Sequence, residues 1–450
     1  MRNWNLKMSY RGNRVSKIIQ AILFFPSILT AQQNEKDTVL LQATLENCIR
    51  YAMVHNPELK NARLYEDITE ATIKSKLADW FPQVNFNYNL QHNFQLPTFN
   101  FNGMLIKSGS VNTSGIELGA TQNIFNRDVL LASRTSKDVR LQVRQNTKER
   151  RINIAVMVSK AFYDLILTRQ QIKVTEQDIQ RIEISLKDAY YQYQSGITDK
   201  TDYKRATISL NNAKAQKKFG DETKKAKYIY LKELIGYPSS ADFEVVYDSA
   251  QMASEIFLDT LQNVNYSSRI EIQLLETQKK LQQYNLQYYK WSFLPEISAF
   301  GNYNLNFLNN RFSKLYSQSY PNSFAGILFS IPIFQGGKRL QQIKQAELEL
   351  SQVDNSITSI QNSINSQYAQ ALAAYKSNLY NYNTLKENLS LANEVYDVIR
   401  LQYRSGIKTY LEVINAETDL RTAQINFYNA LYQLLSSKVD VAQSLGNITY

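Results

Sequence analysis

The chain has 450 residues, 44% of them hydrophobic and 20% charged, with a mean hydropathy of −0.40 and a formal net charge of +11. This is enough apolar material for a large core. It excludes a bundle of membrane-spanning helices, because beyond about residue 30 no run reaches the ~18 apolar residues that a helical span needs. The single cysteine, Cys48, excludes an intrachain disulfide, and His55 and His92 have no companion at metal-ligand spacing.

Arg2, Lys7, Arg11, Arg14 and Lys17 precede Ile18–Leu29, which is apolar apart from Gln20, Pro26 and Ser27, and Ala31 follows. This order predicts a secretory signal peptide over residues 1–31, cleaved near Ala31, with Met8 as a second candidate start. The competing reading is a retained anchor helix, for which an apolar part of about 13 residues broken by Pro26 is short. Residues 1–31 hold five basic and no acidic side chains, so without them the charge falls from +11 to +6. The remaining Lys and Arg are not interleaved with aromatics, so no nucleic-acid partner is expected and the charge reads as a solvated helix surface.

A first unit over 38–236 opens with a helix. Val84, Phe86, Tyr88 and Leu90 then alternate with Asn85, Asn87, Asn89 and Gln91, the period of a strand with one apolar and one amide face. Apolar out and amide in suits a wall between lipid and water, so Asn85, Asn87 and Asn89 are expected to face a lumen. Residues 115–125 form a less regular second strand, giving a strand pair at about 82–125 around a long loop at 93–114.

From Arg127 the period changes. Leu165, Thr168, Ile172, Thr175, Ile179, Ile182, Leu186, Ala189 and Tyr193 keep alternate spacings of three and four, as coiled coils do. No proline or glycine interrupts Arg127 to Ser195. A single helix about 100 Å long is therefore predicted, ending at Gly196 and returning as a hairpin over about 127–236. A linker at 237–252 follows.

The second unit, 253–446, repeats this plan. Trp80-Phe81-Pro82-Gln83-Val84 recurs as Phe293-Leu294-Pro295-Glu296-Ile297, Asn123-Ile124-Phe125-Asn126 as Pro332-Ile333-Phe334-Gln335, and Tyr193-Gln194-Ser195-Gly196-Ile197 as Tyr403-Arg404-Ser405-Gly406-Ile407, at offsets of 213, 209 and 210 residues. Its strand pair is expected at about 294–334, from strands at 295–306 and 325–334 around a loop at 307–323. Ile327, Phe329, Ile331 and Ile333 are in phase there, and Phe300 is out of phase. The helical hairpin at about 338–446 carries the seams Ile343, Ala346, Leu350, Val353, Ile357, Ile360, Ile364 and Val413, Ala416, Leu420, Ala423, Phe427, Ala430, Leu434, and reverses at Gly406.

Four strands cannot close a barrel in lipid, where an open edge leaves unpaired backbone groups. The chain must then oligomerise. A dimer supplies eight strands and a bore filled by side chains, whereas a trimer supplies 12 and leaves a channel.

Leu45-Glu46-Asn47-Cys48-Ile49-Arg50-Tyr51-Ala52 with His55-Asn56-Pro57-Glu58-Leu59, the prolines Pro82 and Pro295, the corner Ile331-Pro332-Ile333-Phe334-Gln335-Gly336-Gly337-Lys338-Arg339 and the stretch Tyr403 to Ala416 together resemble the TolC-like outer-membrane efflux protein (outer membrane factor) family, over about Leu41 to Leu445. The resemblance implies a mixed α and β fold: a trimeric 12-stranded transmembrane β-barrel, four strands per chain, continuous with a long periplasmic α-helical coiled-coil barrel. It implies a homotrimeric exit duct in the outer membrane, in contact with its lipid. A periplasmic adaptor protein and an inner-membrane RND or ABC pump would open the duct for efflux or type I secretion.

By the same resemblance, Tyr193, Ser195, Gly196, Ile197, Tyr403, Ser405, Gly406 and Ile407 form the tips that meet the adaptor. Asp202, Tyr403 and Lys408 form a closing latch, with Glu412 lining the constriction. Lys408 stands where the family has arginine, and Asn415 where a second ring carboxylate occurs; both departures imply a weaker latch and a less cation-selective mouth.

No catalytic constellation and no cofactor site is expected. Gly336-Gly337-Lys338 lacks the first glycine and the following Ser/Thr of a phosphate loop. Two other classes stay open on residues alone: a trimeric coiled-coil surface adhesin, which would gather its strands at one chain end, and a periplasmic structural scaffold, whose sheet would be soluble.

Overall fold

The computed structural model describes residues 42–246 and 256–450. The expected signal peptide at 1–31 lies outside the described residues, as does part of the expected linker at 237–252.

Helix α1 (Leu45–His55) starts where the Thr44 side chain accepts from the Asn47 N–H. Asn56 then breaks the chain, and its Oδ1 accepts from the N–H groups of Glu58 and Leu59 at the start of α2 (Pro57–Leu77). Pro57 fits there because the first helical N–H has no partner to lose. A 3-10 turn at Ala78–Trp80 feeds β1 (Gln83–His92).

The expected loop at 93–114 contains structure: β2 (Thr98–Phe101) and β3 (Met104–Lys107) form a hairpin before β4 (Asn112–Phe125). Asn102 and Gly103 turn it with positive φ at both positions, +50° and +87°. An Asn-Gly pair between apolar residues is the strongest short-range hairpin signal, and it stood in the sequence.

Helix α3 (Arg127–Gln194) runs unbroken for 68 residues, and α4 (Lys200–Ile235) for 36. After α5 (Ile270–Lys290) and a 3-10 turn at Trp291–Phe293 come β5 (Glu296–Asn309) and β6 (Ser319–Ser330), joined through a short helical turn at Phe312–Ser317. The loop expected at 307–323 is thus confined to a short stretch between these strands. Strand β6 ends before Ile331 and Ile333, which the alternation had placed in it; Pro332 has no N–H for a ladder. Helices α6 (Lys338–Arg404), 67 residues, and α7 (Tyr410–Leu445), 36 residues, close the chain. The lengths 68 and 36 recur as 67 and 36, each pair joined by a tight turn.

The four long strands form one antiparallel sheet in the order β1-β4-β5-β6. Among the described residues, β1 and β6 pair on one side only. Register places Val84, Phe86 and Tyr88 opposite Ala120, Leu118 and Ile116, and Leu118 and Ile116 opposite Tyr303 and Leu305, all on one face. On the other, Asn85, Asn87 and Asn89 lie opposite Gly119, Glu117 and Gly115, beside Asn302, Asn304 and Asn306. Phe300 is indeed on the amide face, where it lies over Gly326: a Cβ there would meet its ring at 2.8 Å.

The helical seams bury small and large residues in turn. Ala206, Ala213, Ala346, Ala416 and Ala430 are buried beside Leu165, Ile182, Ile364, Val413 and Leu434. Close approach at alanines brings the backbones together, and the large side chains fill what remains.

Candidate functional site: the helical tips and the two-faced sheet

Both helical hairpins turn in the same way. At the end of α3, the Gly196 N–H donates to the Tyr193 carbonyl (3.0 Å) and the Ile197 N–H to the Gln192 carbonyl (2.9 Å). At the end of α6, the Gly406 N–H donates to the Tyr403 carbonyl and the Ile407 N–H to the Gln402 carbonyl, both at 2.9 Å. These are Schellman closures, which need left-handed backbone at the glycine; φ is +73° at Gly196 and +76° at Gly406. Ser195 and Ser405 cap the helices, and Ile197 and Ile407 stand exposed at the turns.

The return helices start differently. Asp199 caps α4 through the Thr201 N–H. Thr409 caps α7 in a capping box, with the Glu412 carboxylate taking the Thr409 N–H at 2.9 Å. Lys408 donates to the other oxygen of Glu412 at 2.6 Å, and that bond holds the Glu412 carboxyl below its ordinary value. Within one chain, therefore, Lys408 is joined to Glu412 and not to Asp202.

Tyr403 is buried, with its hydroxyl bonded to Gln192 Oε1 at 3.0 Å; burial raises its pKa, and the charges of Asp188 and Asp202 raise it further. Asp202 also lies within electrostatic reach of Tyr410, whose ring meets that of Tyr403 at 5.8 Å between centroids. Tyr410 is buried, and its hydroxyl has no hydrogen-bond partner. The structure thus gathers Asp202, Tyr403, Tyr410 and the Lys408–Glu412 pair at one end of the helical hairpins.

A second polar group sits further along the hairpins. Asp178 on α3 is buried and bridges Arg181 on its own helix and Arg421 on α7, each at 3.2 Å. Two turns along α3, the Ser185 hydroxyl donates to Glu417 of α7 at 2.9 Å. Glu417 is buried, and burial, reinforced by Asp178, raises its pKa above the ordinary carboxylate value. Sequence reading passed over these residues because the partners are 232 and 243 residues apart. Locally, Asp178 and Arg181 look like any exposed pair three residues apart on a helix.

At the other end, the sheet presents Val84, Phe86, Tyr88 and Leu90 outward from its apolar face, exposed in the single chain, with Asn85, Asn87 and Asn89 opposite. No helix of the described residues is long and apolar enough to cross a membrane. No group of His, Cys, Asp and Glu among them could hold a metal ion.

The family profile described as "Outer membrane efflux protein" matches residues 48–236 and again 267–447. The chain belongs to the outer membrane efflux protein family. Among curated relatives, this efflux protein is 20% identical over 438 residues to the outer membrane protein TolC of Vibrio cholerae, covering 94% of this chain and 95% of that one. It is 20% identical over 296 residues, 63% of this chain and 59% of the relative, to the alkaline protease secretion protein AprF of Pseudomonas aeruginosa. Its fold matches the Campylobacter jejuni CmeC outer membrane channel with a TM-score of 0.73 at 16% identity, covering 90% of this chain and 85% of that one. The efflux protein is an outer-membrane export channel, which sets aside the adhesin and scaffold readings.

Proposed function

We propose that three copies of the efflux protein close a 12-stranded barrel in the outer membrane above a helical barrel in the periplasm. The assembly is a passive exit duct, opened by a periplasmic adaptor and an inner-membrane pump. The observation that carries this reading is the sheet: four strands with two free edges, one apolar face and one amide face. Each unpaired backbone group in lipid costs several kcal/mol, so β1 of one copy pairs with β6 of the next and no edge is left. Asn85, Asn87 and Asn89 then line water, and Val84, Phe86, Tyr88 and Leu90 meet lipid.

The turns at Tyr193–Ile197 and Tyr403–Ile407 receive the adaptor. They are short and regular, Ser195–Ile197 and Ser405–Ile407 are exposed while Tyr403 is buried, and their glycines leave open space around them. Asp202, Tyr403, Lys408 and Glu412 form the closing ring. Exchange of Lys408 from Glu412 of its own chain to Asp202 of a neighbour is the step that distinguishes closed from open. Cargo selection falls to the pump, and the matched units 48–236 and 267–447 reflect an ancestral duplication. Native mass measurement in a gentle detergent is expected to give three chains, and deletion of the gene to abolish export by its partner pump. A stable monomer or dimer overturns the architecture.

A further inference from the structure

We propose that the β2–β3 hairpin is a self-association surface, packing against the same hairpin of neighbouring copies across the external mouth of the duct. The inference rests on the trimeric reading above.

The hairpin continues the β1–β4 ladder: the Asn93 N–H donates to the Val111 carbonyl at 2.7 Å, and the Ser108 N–H to the Pro97 carbonyl at 3.0 Å. Its register pairs Phe99 with Ile106 and Phe101 with Met104. Residues two apart on a strand point the same way, so these four share one face. That face is bare: Phe99 is 59% exposed, Phe101 63%, Met104 66% and Ile106 47%. A two-stranded hairpin is marginal in water on its own, so a formed hairpin with four large apolar side chains on one side needs a cover.

Three features choose the cover. First, β1 starts next to the helices and ends at His92, so the hairpin lies at the far end of the sheet. Ten residues of β1 at ~3.4 Å, tilted ~45°, rise about 24 Å, nearly the whole ~25 Å apolar band. The hairpin begins beyond that band, outside the acyl chains. Second, it joins the free edge strand β1 to its neighbour β4 and so stands near the boundary between copies. Twelve strands ~4.8 Å apart and tilted ~45° give a radius of about 13 Å, and a four-residue arm at ~3.3 Å per residue is also about 13 Å. The arms are therefore long enough to span from the wall to the threefold axis. Third, Lys107 is the only charged residue from Asn93 to Ser110, so each copy brings one positive charge and three copies can meet without strong repulsion.

Cys48 is buried, and burial pushes its thiol up to about 12, so an introduced cysteine is the only reactive one. In full-length protein in the outer membrane, Phe101→Cys, and separately Met104→Cys, is expected to cross-link under mild oxidation. Up to about two-thirds of the monomer band should be lost, since three thiols at one axis pair in twos. A thiol that stays uncross-linked in an intact trimer overturns the proposal. Free labelling by an impermeant maleimide would then show a solvent-facing hairpin. Blocked labelling, with quenching of a thiol-attached fluorophore by brominated lipid, would show one folded back onto the membrane. Native mass of the parent protein reports separately on the trimer.

Discussion

Asp178 is the residue whose loss is expected to loosen the two helical hairpins most. Its side chain is 2% exposed and carries two arginines at 3.2 Å, Arg181 at 16% exposed and Arg421 at 35%. Asp178→Asn keeps the volume and removes the charge. Arg421 can turn toward water. Arg181 cannot do so as freely, and its Nε already has no partner. Removing one member of a buried pair costs about 3–5 kcal/mol, and partial relief through Arg421 brings the expectation here to about 2–4 kcal/mol. Against a total stability on the order of 5–15 kcal/mol this is a large loss. Urea unfolding followed by circular dichroism should show a lower midpoint with an unchanged slope. Glu183→Gln, which breaks the exposed pair with Lys214 at 3.4 Å, is the control and should change little. If Asp178→Asn costs no more than the control, the buried bridge is not what holds α3 to α7.

Four further outcomes are expected. Phe86→Arg on the apolar face should cost assembly about 2–4 kcal/mol near the membrane midplane, while Asn87→Arg leaves trimer yield nearly intact; equal defects would show the faces misassigned. The raised pKa of Glu417 means that the packed state holds its proton more tightly than the separated one. That contribution is complete below the ordinary carboxylate pKa and is lost as pH rises through the raised value, so Glu417→Gln should remove the loss of stability that sets in as pH climbs above the ordinary carboxylate range. Asp202→Ala with Lys408→Ala should raise single-channel conductance in planar bilayers, and Glu412→Gln should lower cation selectivity; parental conductance in the double variant would place the latch elsewhere. A bulky charged residue at Ser195 or Ser405 should abolish export at normal trimer yield, and normal export in both would rule out docking there.

Long-range order was legible where it was written as helical periodicity, while strand alternation ran past the end of β6 to Ile331 and Ile333. The expected seam from Leu165 to Tyr193 is buried or half-buried as far as Ala189 and exposed at Tyr193, where the helix ends, and the glycine-free run to Ser195 is one helix. Phe300 is instructive because its wrong phase was real: the glycine opposite it makes room on the amide face. The Asn102-Gly103 pair marks the β2–β3 hairpin, but the Gly, Asn and Ser around it have the composition of a loop and mask its short strands. Contacts between the repeats were not legible at all. Neither Glu417 beside Ser185 nor the orphaned Tyr410 hydroxyl leaves a mark within one helix, whereas the Lys408–Glu412 pair, four residues apart, is local and stands in the sequence.

The glycines of the amide face bear on how cargo would move. A Cβ on Gly115 would fall 2.5 Å from the Asn89 amide oxygen, and one on Gly119 would fall 2.8 Å from that of Asn302. The amides therefore lie down across bare backbone instead of standing into the bore. On the proposed lumen face these amides offer a solute the same exchangeable hydrogen bonds that water does, and the Glu117 carboxylate, opposite Asn87, sits among them. With three copies around one axis, Glu117 would mark the height at which a passing cation is held longer than an anion, so the resistance of the duct would depend on the charge of what passes.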